Sequence, residues 1–350
     1  MNNFCKNETE RGFNVRTDLA YEDAARVNNL QDTNCHEYNI DNIPVICTKV
    51  GKKDEQLINK REGLYYTIDL TNVKMHDHED AKKMEKALLN VLLELIEKHQ
   101  LTNKKCLVIG LGNVNVTPDS LGPYVLDNVI VTRHLFELGS VHEGYSEVSG
   151  FSPGVMGNTG IETFDIIKSV VDKINVDYVI VVDALAAASI SRVNRTIQVT
   201  DAGINPGSGV GNARKEISSV TLGKPVIAIG VPTVVDAVTI TSDVIDYIVK
   251  YLGDELNTSK KSVNKLTPGV KDYERMEEPN EEVKKHFLGE VGSLTYEEKK
   301  DLINQVLTPS GYNMMVTPKE VDADIEDLAH IIATSIDLAL HPSLRENITL

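Results

Sequence analysis

Two aspartates stand where a chain of this kind could carry out hydrolysis. Asp119 lies in the glycine-bearing stretch GLGNVNVTPDSLGP (Gly110 to Pro123), and Asp183 closes the apolar run YVIVVD. When two carboxyls share one cleft, their like charges force one to keep its proton, and the pair's apparent pKa values split. The ionised member can then take a proton from water while the protonated one polarises a carbonyl oxygen. Asp201, after RTIQVT, and Asp236, after IGVPTVV, qualify by the same positional logic, and spacing does not choose two of the four. Each also has a plainer role open to it, Asp119 as a turn residue and Asp183 as the cap of a helix starting at Ala184.

Other chemistries fit less well. Gly110-Leu-Gly112 follows a strand as a dinucleotide-binding turn requires, but Asn115 stands where the third glycine belongs, and Pro118 keeps a helix from starting at Thr117. Ser152, Ser189 and Ser208 lie near the glycine loops without the GxSxG pattern of a nucleophile elbow. His134, inside TRHLFEL, and His142 have no placed partner, so packed or surface roles suit them better. A metal held by Asp119, Asp183 and one histidine is chemically possible, although no HExxH or comparable signature is present.

Positioning such carboxylates requires a rigid sheet. KKCLVIGLG, DYVIVVDAL, SRVNRTIQVT and KPVIAIGVPTVVD read as strands, and their near-continuous Val/Ile runs alternate with amphipathic segments. SLGPYVLDNVIVTRHLFEL, IETFDIIKSVVDKI and TSDVIDYIVKYL read as helices between them. The fold class this implies is α/β, a mainly parallel central sheet with helices on both faces. A small N-terminal β element (Ile43 to Val50 and Gly63 to Leu70) precedes it, followed by a helix from about His78 to Gln100 with Met84, Leu88, Val91, Leu92 and Leu95 on one stripe. C-terminal helices, YEEKKDLINQVL and DADIEDLAHIIATSIDLALH, complete the chain. RTDLAYEDAARV (Arg16 to Val27) reads as a short helix capped by Thr17 or Asp18. Residues 253–285 are charged and apolar-poor, the signature of a mobile insertion in an otherwise single domain. The loops SPGVMGNTGIET and DAGINPGSGVGNARKE bring Gly154, Gly157 and Gly209 to the same sheet edge as Gly112 and Asn113, and together they suggest a substrate cleft.

At 350 residues, with 41% hydrophobic and 25% charged residues, the chain has the composition of an ordinary soluble protein with a sizeable core. A formal net charge of −16 argues against nucleic-acid binding, which needs a basic face. Cys5, Cys35, Cys47 and Cys106 form no CxxC pair and read as reduced thiols. No apolar run approaches the roughly 20 residues of a membrane span, and the N-terminus has no signal-peptide core.

RTDLA, GLGNVNVTPDSLGP, TRHLFEL, PGVMGNTGIET, DALAA, NPGSGVGNARKEIS, IGVPTVVDAV and VTPKEVD, in that order from Arg16 to His341, together resemble the spore germination protease family. The resemblance implies an endopeptidase, related in fold to hydrogenase maturation proteases, that starts the degradation of small acid-soluble spore proteins. It implies an atypical aspartic mechanism with Asp119 (in VTPD) and Asp183 (in DALAA) as the catalytic pair, no cofactor, and a homotetramer in the cytoplasm of the forespore and spore core. It also implies a zymogen whose residues 1–15 are a propeptide, removed by self-cleavage around Phe13, Asn14 and Val15, leaving 16–350 as the protease domain. Its relatives bind a metal of their substrate through acidic and histidine ligands, so a metal-dependent protease using the same carboxylates stays open beside the aspartic one, as does a partner that binds spore proteins without cutting them.

Overall fold

Uninterrupted β-branched runs dictate the centre of the molecule, because a strand covered on both faces has no side that can be polar. The structure, a computed structural model, describes residues 18–27, 30–206, 214–258, 279–307 and 314–346. Phe13 to Val15, Gly209, Ser208 and most of the charged stretch expected to be mobile lie outside these residues. Chain contacts divide the protein into two units, one formed by residues up to Val234 and from Thr317 onward, the other essentially by Val235–Val316.

In the first unit the strands are β1 (Asn34–Ile40), β2 (Ile43–Val50), β3 (Gly63–Asp69), β4 (Cys106–Gly110), β5 (Val148–Phe151), β6 (Tyr178–Ala187), β7 (Thr196–Thr200) and β8 (Val226–Asp236, whose last two residues belong to the second unit). They follow the spatial order β1-β2-β3-β7-β8-β6-β4-β5. The expected α/β architecture is present, but the sheet is mixed. β4 pairs in parallel with both β5 and β6, whereas β1-β2-β3-β7-β8 pair antiparallel throughout. The N-terminal β element is therefore part of this sheet, joined through β3 and β7.

Helices cover both faces. Alternate residues of the central strands divide between two cores, Val108, Ile180 and Val182 facing one and Leu107, Ile109, Val179 and Val181 the other. The first core is filled by α3 (His78–Lys98), α4 (Leu121–Asn128) and α12 (Val321–Leu340). α3 presents the stripe expected for it, and Asp77 caps it by accepting from the amides of Glu79 and Asp80. α12 contributes Ile325, Leu328, Ile332 and Ile336, all fully buried, each stabilising the fold by roughly 1.5–3 kcal/mol. The second core lies under α7 (Thr163–Ile174) and the single turn α8 (Ser219–Leu222). α1 (Ala20–Arg26) and the single turn α2 (Glu55–Ile58) pack with Val50, Tyr65 and Ala202 in a smaller cluster.

Two local readings change. The stretch read as one helix after β4 is two, α4 and α5 (Arg133–Glu137), because Val129 turns extended. α1 begins after Leu19 with no side-chain cap, since Asp18 is engaged elsewhere. The turn α6 (Met156–Thr159) and α13 (Pro342–Glu346) complete this unit. In the second unit, α9 (Ala237–Thr258) packs with α10 (Glu281–Leu288) and α11 (Tyr296–Leu307), and the short β9 (Met315–Val316) pairs with Val235 and Asp236.

Candidate active site

Asp183 sits within β6 and is only 5% exposed. The strand neither ends there nor gives way to a helix at Ala184, as the cap reading expected; it stays extended to Ala187. Flanked by Val181, Val182 and Leu185, the carboxyl has little water, and its nearest hydrogen-bond donor is the amide of Ala184 at 3.0 Å. Burial pushes it well above the usual carboxylate range, and the negative charges of Asp119 and Asp18 push in the same direction.

Asp119 ends a one-turn 3-10 helix, Thr117–Asp119, that the Gly110–Pro123 loop throws over β6. Two contacts hold the loop there. Gly122 lies so close to β6 that a Cβ would stand 2.2 Å from Leu111 O and 2.7 Å from Val182 O, while the Leu111 amide donates to Val182 O at 2.8 Å. Gly112, at φ +114°, packs under the turn, where a Cβ would meet Asp119 O at 2.0 Å. The Asn113 amide donates to that same Asp119 oxygen at 2.9 Å, and Thr233 Oγ1 on β8 donates to Pro118 O at 2.6 Å. Asp119 is half-buried, and desolvation raises its pKa too.

The charge of Asp119 acts on Asp183, and of the two carboxyls Asp183 is the one pushed furthest toward its protonated form. The positive charge of Arg214 acts on both carboxyls and favours their ionised forms. The other two aspartates have different surroundings. Asp201 accepts from Lys98 Nζ at 2.6 Å, His99 Nε2 at 2.8 Å and the Leu64 amide at 2.8 Å, and these bonds overcome its burial to lower its pKa. Asp236 accepts from the Val238 amide at 2.8 Å at the start of α9, in the second unit.

Of the expected cleft residues, Asn113 Oδ1 accepts from Asn158 Nδ2 at 3.3 Å, which links the Asp119 loop to α6. Gly154 (φ +70°) and Gly157 belong to the segment that follows β5, and nothing crowds Gly157. Ser152 Oγ donates to Gly110 O at 2.8 Å and Ser189 Oγ lies 2.9 Å from Ser191 Oγ, so each has a local structural role. His134 and His142 are exposed on α5 and the loop after it. Among the described residues, no group of three or more His, Cys, Asp or Glu side chains is placed to hold a metal ion. The sequence reading missed Arg214, Thr233 and the role of Asp18. Only Arg214 carried a readable signal, a cation directly after a glycine loop.

The α/β scaffold places a buried carboxyl, Asp183, and a half-buried one, Asp119, where their charges interact. The germination protease family profile matches residues 13–349. The germination protease of Bacillus cereus (strain G9842) is 47% identical over 356 residues, covering 96% of each chain. Those of Bacillus thuringiensis subsp. konkukian (strain 97-27) and Bacillus anthracis (strain A0248) are 47% and 46% identical with the same coverage. A crystal structure of the NiFe hydrogenase maturation protease HycI from Thermococcus kodakarensis KOD1 aligns with 58% of this chain and 90% of its own, at 15% identity and a TM-score of 0.25. The chain belongs to the germination protease family and is an endopeptidase of spore germination. Among the described residues, no helix is long and apolar enough to cross a membrane.

Proposed function

We propose that this endopeptidase activates water with Asp119 and Asp183 and is of the aspartic type. One observation carries the reading: burial and the negative charge of Asp119 both push the Asp183 carboxyl above the usual carboxylate range, which favours one shared proton on the pair. Ionised Asp119 takes a proton from water as the oxygen attacks the scissile carbonyl carbon, and Asp183 gives its proton to the carbonyl oxygen. The tetrahedral species collapses, returning that proton to Asp183. Asp119 passes its proton to the leaving nitrogen as the C–N bond breaks, which restores the pair and releases a carboxyl and an amine.

The substrates proposed are small acid-soluble spore proteins, and the assembly a homotetramer acting in the spore cytoplasm, without a cofactor. Residues 1–15 form a propeptide that the enzyme removes from itself near Phe13 to Val15. The deciding experiment incubates purified wild type, Asp119→Asn and Asp183→Asn with such a substrate, with and without exhaustive chelation, and maps the fragments by mass spectrometry. Both variants should fold and neither should cut, and the wild type should keep its rate under chelation. Full activity in either variant would falsify the pair, whereas loss of wild-type activity on chelation would point instead to a metal held by the same carboxylates.

A further inference from the structure

Beyond Asp183, β6 continues with the segment Asp18–Glu22 laid along it. The Asp18 amide donates to Ala186 O at 3.0 Å, and Asp18 Oδ2 accepts from the Ala186 amide at 2.9 Å. Glu22 Oε2 accepts from the Ala188 amide at 3.1 Å. Gln198 on β7 binds the same segment twice, donating from Nε2 to Asp18 O at 3.0 Å and accepting at Oε1 from the Ala20 amide at 2.7 Å. Leu19, Ala20 and Glu22 are buried. Two carboxylates therefore satisfy amides at the end of β6 and just past it, and the Ala186 amide that Asp18 binds lies three residues from the buried acid.

We propose that Asp18 is a positioning residue for the catalytic pair: its carboxylate, held on the Ala186 amide, fixes the extended course of β6 beyond Asp183 and sets a negative charge on the strand that carries that acid. The inference rests on Asp119 and Asp183 being that pair. Among the described residues, the charges that act most on Asp183 are Asp119 from the 3-10 turn, Asp18 from the N-terminal segment and Arg214 from the stretch before α8; the first two favour the protonated acid and Arg214 opposes it. The pair is active with one proton, so activity ends on the alkaline side where Asp183 gives that proton up. With Asp18 neutral, Asp183 gives it up at lower pH.

The test is the pH–rate profile for cleavage of a small acid-soluble spore protein by the full chain and its variants. Asp18→Asn keeps an oxygen for the Ala186 amide and removes the charge. Its alkaline limb should move to lower pH by about one unit, roughly tenfold less activity at a pH on that limb. Glu22→Gln removes a charge from the same segment that is held two residues farther along the chain, on the Ala188 amide, and its limb should coincide with the wild type. Asp18→Glu, which keeps the charge, should restore the limb. If Asp18→Asn melts below the assay temperature, Asp18→Ser makes the same measurement. An unmoved limb in Asp18→Asn or Asp18→Ser, or an equal shift in Glu22→Gln, overturns the proposal while an inactive Asp183→Asn leaves the pair standing. Activity in Asp183→Asn would overturn the pair itself.

Discussion

At the scale of single residues, the site depends on two kinds of group, acids whose surroundings hold a proton and glycines that let backbone approach backbone. Burial rather than a hydrogen-bond network raises the pKa of Asp183, since the amide of Ala184 favours the ionised form and is outweighed. Gly112 does the second job. An alanine there would combine a left-handed φ, a strain of about 1–2 kcal/mol, with a Cβ that must displace the Asp119 carbonyl. Moving a reacting carboxylate by about 1 Å costs on the order of 100-fold in rate. Gly112→Ala should therefore lower kcat by about that factor while the protein still folds, and Gly157→Ala, with open space around it, should leave kcat unchanged. Steady-state kinetics of the two variants decide it, and equal effects would mean that Gly112 does not hold the turn.

At the scale of elements, the Asp119 turn is held beside β6 because the loop from β4 is tied to β6 and β8. Thr233 on β8 donates to Pro118 O, and Thr317 Oγ1 donates in turn to Thr233 O at 2.8 Å, so the 3-10 turn is anchored from a strand distant in sequence. Thr233→Val removes that donor and leaves a carbonyl unpaired, a cost of about 1–3 kcal/mol. We expect a fall in kcat with little change in KM, and recovery in Thr233→Ser, which keeps the hydroxyl. A valine variant with wild-type kcat would show that the tie is dispensable.

This tie was not legible in the sequence, because a threonine in a buried strand looks like any other β-branched residue. The long strands and helices were legible, their period being set by burial: α3 and α12 fall where their apolar stripes are, and β2 spans Ile43–Val50 as read. β1 escaped notice because it is an exposed edge strand of polar residues, Asn34, His36, Glu37 and Asn39. Its one clue is Asp41-Asn42, both at positive φ, the two-residue turn that sets Ile40 opposite Ile43. The parallel expectation failed for β7 and β8 for a related reason. Continuous Val/Ile runs report burial on two faces, which antiparallel strands under helices share.

At the scale of the whole molecule, buried ionisable groups make stability a function of pH, and the end of α12 is where this can be measured away from the site. Asp337 is 7% exposed and accepts from the Ile130 amide at 3.0 Å; burial raises its pKa to about 6. His341, one turn on, is fully buried, and its Nδ1 accepts from the Ser146 amide at 3.2 Å, so the ring is held neutral and its pKa is lowered. The two act in opposite senses. An acid whose pKa rises on folding adds stability that is complete below its unfolded value, near 4, and is lost as pH climbs through about 6. A histidine whose pKa falls adds stability that is present above about 6.5 and is lost as pH drops. For Asp337 the shift corresponds to about 3 kcal/mol across that window. Asp337→Asn keeps the oxygen that accepts from Ile130 and removes the titration. Denaturant unfolding should find it as stable as wild type at pH 4 and up to about 3 kcal/mol more stable at pH 7.5, with cleavage activity unchanged. Curves for the two proteins that run parallel from pH 4 to 7.5 would mean that Asp337 does not titrate in this range and that the acid is solvated in the folded state.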